Sequence, residues 1–136
     1  MVYRIDIGRE APMRLAELTA GFKWGVLLVK DANSTEQIPN WSSPDEQVTA
    51  ANSALVIRVM PDDEGNVDVQ VVNDSKEVRG MRYFSGHLAV PSKTLKVGDA
   101  LGEQSVNVVL DKENIGVEIY LDEPMQATCV SLLIRD

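Results

Sequence analysis

The sequence predicts an all-β fold: an antiparallel β-sandwich of about eight strands with one or two short helices. Three observations carry that expectation. Apolar residues alternate with polar ones along several short runs, the pattern of strands with one face in a core. Turn signals recur roughly every 8 to 12 residues. Strands and helical patterns do not alternate as they would in a parallel α/β sheet. A partly open β-barrel fits the same periodicity and stands as the alternative.

Val2 to Ile7 reads as the first strand, with Tyr3, Ile5 and Ile7 on one face. Between Pro12 and Gly21 lies the punctuation of a short helix, proline at its start and glycine past its end. Met13, Leu15, Ala16 and Leu18 fit that helix loosely, and an extended edge segment is the other reading. Trp24 to Val29, WGVLLV, is a continuous apolar run of strand length, which predicts burial on both faces. Residues 31–40 are polar and read as a loop ending at Pro39. Ser43, Pro44 and Glu46 then spell a capping box, which predicts a helix from Pro44 to about Ala51 with Trp41 packed before it.

The centre of the chain, Ala54 to Asn73, reads as a β-hairpin with a five-residue loop, Pro61 to Gly65. That register sets Val59, Ile57 and Leu55 opposite Val67, Val69 and Val71 on one face, and Arg58 beside Asp68 on the other. Residues 74–82 are charged and read as a loop or fraying strand end. Tyr83 to Val90 is a strand stopped by Pro91, and 92–103 reads as a loop with a short extended piece. Ser105 to Leu121 repeats the hairpin logic around the loop Asp111 to Asn114, pairing Leu110 with Ile115. Ala127 to Ile134 closes the chain as a strand buried on both sides. With no linker, repeat or low-complexity tract, residues 1–136 are expected to form a single domain.

Composition excludes several classes of function. The net charge of −8 argues against nucleic acid or an anionic membrane as a partner, since their phosphates would repel the chain. The N-terminus lacks the pattern of a secretory signal, and no window approaches a membrane span, so a cytoplasmic protein is expected. The single cysteine, Cys129, sits in the last apolar strand, where a thiol behaves as a small hydrophobe. One histidine, His87, is too few for a Cys/His zinc site within one chain. A Ser-His-carboxylate set assembled in space around His87 would make an enzyme, but no serine sits in a GxSxG elbow. No GxGxxG or Walker loop is present to cradle a phosphate. The expected protein is therefore not an enzyme and carries no cofactor and no metal. Asp62, Glu64, Asn66 and Asp68 alternate like the first ligands of an EF-hand, yet the required glycine and final glutamate are missing. A small-ligand or weak calcium-binding β module remains the competing class.

Charge is distributed in blocks. Residues 31–74 hold nine acids against Arg58, and 99–136 hold eight acids against two basic residues. Residues 75–98 reverse the sign, with five basic residues against Glu77. The acids concentrate in three turns: Asp62, Asp63 and Glu64; Asp111 and Glu113; Asp122 and Glu123. If the three tips share one end of the sandwich, they form an anionic rim suited to a basic protein partner.

Pro39-Asn40-Trp41, the acid-rich segment running into Ala50-Ala51 and a strand pair, and Leu88-Ala89-Val90-Pro91 before a later hairpin give the chain a familiar outline. In that layout it resembles the competence-associated DNA-entry nuclease inhibitors and related small bacterial β-rich proteins. The resemblance transfers no functional residue. It implies a non-enzymatic acidic protein, an inhibitor or immunity-type protein that binds a basic nuclease or toxin.

Overall fold

The computed structural model describes residues 2–4, 14–38 and 40–135, the first three as backbone only. Among the described residues eleven strands form two sheets. Across the first run β1 (Val2–Arg4), β9 (Ser105–Val109), β8 (Thr94–Asp99), β3 (Val26–Asp31), β5 (Ala54–Arg58) and β4 (Val48–Ala50). Across the second run β2 (Arg14–Ala20), β6 (Val67–Val72), β11 (Cys129–Arg135), β10 (Asn114–Leu121) and β7 (Met81–Ala89). Pairing is antiparallel except for β1 with β9 and β6 with β11, which run parallel. The sandwich reading holds, and the sheets do not close into a barrel.

The inner faces are those the alternation marked. Leu55, Ile57 and Val59 from one sheet share the core with Val67, Val69 and Val71 from the other, all buried. Val106 and Val108 likewise meet Ile115, Val117 and Ile119. β11 is buried from Val130 to Ile134, Ser131 included, as the largely apolar composition of 127–134 predicted.

Both expected hairpins are corrected. β5 pairs with β3 and β4, while β6 pairs with β2 and β11, so residues 59–66 cross from one sheet to the other. β9 and β10 are divided in the same way. A period-2 pattern records which face of a strand is buried, not which strand lies beside it. In a sandwich the inner faces of both sheets point at one core, so a corner between sheets shows the alternation of a hairpin. The Arg58–Asp68 pair fails with the register. Arg58 stacks its guanidinium 4.1 Å from the Trp41 ring centre, and Asp68 accepts the Thr19 hydroxyl at 2.6 Å.

Neither expected helix forms among the described residues; single 3-10 turns are the only helical pieces. The 12–21 segment contains β2, an edge strand, so its extended reading was the right one; Pro12 itself lies outside the described residues. In the second segment Glu46 reaches back to the Ser42 amide (2.9 Å) and hydroxyl (2.6 Å), a capping bond made on a turn. No helix follows, because Val48–Ala50 is drawn into pairing with β5. β8 occupies what read as a loop: Leu95, Val97 and Asp99 point inward and Lys96 outward. The run from Trp24 is not buried on both faces; Val26, Leu28 and Lys30 are half-buried, and Trp24 lies outside the strand. Expected strand residues 5–7 lie outside the described residues.

Candidate partner-binding end

Strand directions sort the connecting turns between the two ends of the sandwich. β3, β8 and β5 begin or finish at Val26, Asp99 and Arg58 on one end, together with the end of β2 and the starts of β6, β11 and β7. Turns 21–25, 59–66, 100–104 and 122–128 therefore share that end, with Met81 at the start of β7. The opposite end carries Asp31, the 90–93 turn and the 110–113 turn, tied by Val90 N–H to the Glu113 carbonyl and Leu110 N–H to the Lys93 carbonyl. Two of the three acidic turns thus lie together, and Asp111 and Glu113 lie at the far end. All three do not form one rim.

Backbone hydrogen bonds order the turns across the shared end. Asp62 N–H donates to the Phe22 carbonyl (3.0 Å), and Met60 N–H donates to the Ala127 carbonyl (3.0 Å). The 59–66 turn is thereby clamped between the 21–25 turn and the 122–128 turn. Its carboxylates, Asp62, Asp63 and Glu64, project from a 3-10 turn and are all exposed. Among the described residues no hydrogen bond or ion pair engages them, and the same is true of Glu123.

Asp122 is different. Its carboxylate accepts from the Thr128 amide (3.0 Å), the Thr128 hydroxyl (2.6 Å) and the Cys129 amide (3.1 Å). Burial pushes this carboxyl upward, but those bonds outweigh it and hold the group below its ordinary value. Asp122 closes the turn that β11 grows from, so its charge is already committed inside the fold.

The same end presents apolar side chains that the sequence reading had assigned to the core or passed over. Trp24 is 71% exposed, Met81 71%, Leu101 49% and Met125 39%; Tyr83, two residues along β7 from Met81, is the fifth large apolar residue exposed among those described. Trp24 and Met125 also hold positive backbone φ, 60° and 69°. Trp24 and Gly25 are the two central residues of a tight turn closed by Val26 N–H to the Lys23 carbonyl. Gly25 is required there, since a Cβ would meet the Val59 carbonyl oxygen at 2.7 Å. Asn-Gly is the sequence such a turn prefers, and tryptophan in the first position is costly. Met125 is fixed by the Gln47 side chain, whose oxygen accepts its N–H at 2.7 Å. No periodicity signals these residues. The only sequence hint is a glycine directly after a tryptophan at the head of an apolar run.

His87 lies on the outer face of β7, exposed, in a shallow depression of about 350 Å³ with Ser85, Glu118 and Arg135. It is neither buried in a filled core nor set in a deep cleft. Glu118 is committed elsewhere: it accepts the Tyr120 hydroxyl (2.7 Å) and Arg135 Nε (2.7 Å), with Arg82 at 3.7 Å. The Tyr120 bond leads in holding its carboxyl below the usual value, against the effect of burial. Burial pushes the Cys129 thiol up, the opposite of what a nucleophile needs. Among the described residues no three His, Cys, Asp or Glu side chains converge on a metal position, and Asp68 is turned to Thr19 on the face of β6.

No protein-family model matches this sequence, and no curated protein matches it. Among solved structures the fold is similar to that of ComJ, inhibitor of the DNA degrading activity of NucA, from Bacillus subtilis. The likeness covers 90% of this chain and 96% of that chain, with a TM-score of 0.70 and 10% sequence identity. At that identity what is shared is the fold, and the resemblance read from the sequence holds at that level.

Proposed function

We propose that this protein is a non-enzymatic, inhibitor-type protein that binds a basic protein partner, a DNA-degrading nuclease, through the end of the sandwich that carries Trp24. The observation that carries the reading is the set of exposed, unengaged carboxylates Asp62, Asp63, Glu64 and Glu123 gathered at one end. It is supported by a fold shared over nearly its whole length with a nuclease inhibitor. An enzyme that cleaves DNA holds phosphates with a cationic surface, and an acidic protein complementary to that surface competes for it. The excess of acid over base at this end supplies the complementarity and speeds association. Asp111 and Glu113, at the far end, stand outside this contact, and Asp122 acts in it only by shaping the 122–128 turn.

The test is DNA degradation by Bacillus subtilis NucA with a molar excess of this protein at low and high salt. Inhibition that fades with salt, is lost in the triple variant Asp62→Asn, Asp63→Asn, Glu64→Gln, and survives in Asp111→Asn, Glu113→Gln supports the reading. Undiminished DNA degradation at low salt refutes it.

A further inference from the structure

We infer that Trp24 is the anchor of this end: its indole enters an apolar recess on the basic partner, while Asp62, Asp63, Glu64 and Glu123 meet cations around that recess. The inference rests on the binding reading above and adds to it the side chain that supplies most of the affinity. Single exposed apolar residues are ordinary on a protein surface, but here Trp24 and Met125 stand on the two turns that clamp the acidic 59–66 turn between them. The fold itself does not need the indole where it is. Phe22, two residues earlier, fills the core beneath the turn and is fully buried, and Gly25 makes the close approach to Val59. Trp24 is left projecting from a left-handed backbone position that glycine or asparagine would occupy with less strain. Met125, on the turn beyond Asp62–Glu64, repeats the combination of exposure and positive φ.

Charge decides the occupant. A second copy of this chain would bring two acidic ends face to face, where Lys23 is the one cation on the neighbouring 21–25 turn. An anionic lipid surface is repelled for the same reason. A basic protein with an apolar recess satisfies both the indole and the carboxylates. That arrangement, an aromatic anchor with charged groups at its rim, is the usual anatomy of a protein–protein hot spot.

The probe is Bacillus subtilis NucA. The chain has two tryptophans, so Trp41→Phe leaves Trp24 as the sole indole reporter. On complex formation its emission is expected to move to shorter wavelength. Trp24→Ala, at an exposed position, keeps the fold by circular dichroism and weakens binding about thirtyfold or more at low and high salt alike. The acidic triple variant loses only the salt-sensitive part. Binding by Trp24→Ala equal to that of the native chain overturns the anchor and leaves the binding reading standing. Absence of any complex between native protein and NucA at low salt overturns both.

Discussion

Each end of the sandwich carries acids of two kinds, some bonded within the fold and some left in solvent. At the Asp31 end, Asp31 and Glu36 are bonded within the fold, while Asp111 and Glu113 are exposed with no side-chain hydrogen bond among the described residues. Asp31 is buried and accepts the Ser92 amide (2.9 Å), the Ser92 hydroxyl (2.5 Å) and the Asn33 amide (3.1 Å). Glu36 accepts the Ser53 amide (2.6 Å) and hydroxyl (2.8 Å), and Ser53 in turn bonds Ser34. These bonds tie the loop after β7 to the end of β3 and the loop after β3 to the start of β5. At the Trp24 end, Asp99 and Asp122 close the 100–104 and 122–128 turns, whereas the 59–66 turn is held by its backbone and the side chains of Asp62, Asp63, Glu64 and Trp24 are left outward. An acid is therefore structural or available according to whether neighbouring amides point at it. Its presence in a polar turn does not distinguish the two.

The sharpest break of that comparison lies within one turn. Phe22→Ala removes a fully buried ring and is expected to cost about 3–5 kcal/mol in denaturant unfolding, whereas Trp24, two residues on, is dispensable to the fold. Equal losses at both positions would mean that Trp24 is core after all.

Next comes Asp31→Asn, which keeps the shape and weakens a set of bonds to a charged acceptor. A loss of about 1–3 kcal/mol at neutral pH is expected, with m unchanged. The effect has a definite pH sense. Burial raises the Asp31 carboxyl, but the Ser92 and Asn33 bonds win and hold it below its ordinary 3.8. A depressed folded-state value stabilises above the unfolded value and fades as pH falls through the folded one. Urea midpoints should therefore converge between native protein and Asp31→Asn as pH drops below about 4.

A smaller effect, of opposite sign, is expected for Trp24→Gly. Relief of the left-handed backbone raises stability by about 0.5–1 kcal/mol in a thermal melt, while affinity for the partner falls. The smallest is the triple neutralisation Asp62→Asn, Asp63→Asn, Glu64→Gln. With no internal partner to lose among the described residues, its melting temperature should stay within the equivalent of about 0.5 kcal/mol of the native protein. The same triple change made where carboxylates are engaged, at Asp31, Glu36 and Asp122, should unfold far more readily.

The sequence by itself determined the class of fold and the burial of individual side chains. Period-2 runs from Leu55 to Val59, Val67 to Val71 and Ile115 to Ile119 are dictated by the pleat, and each placed its apolar residues on the face that is buried. It also concentrated acids in turns. Two strands, β4 and β8, escaped it, and a third, β2, was legible only as the second of two readings. β2 and β4 carried helix punctuation that sheet pairing overrode, and β8, interrupted by Lys96 and Gly98, looked like a loop. Tertiary structure alone decided that the two apparent hairpins are corners, because pairing joins residues far apart in the chain and leaves no local mark. It alone divided the acidic turns between two ends and turned Trp24 outward from the head of an apolar run. The physical reason is common to all of these. Local sequence specifies which side of a strand avoids water, whereas neighbours, ends and outward-facing turns follow from how the strands of two sheets share one core.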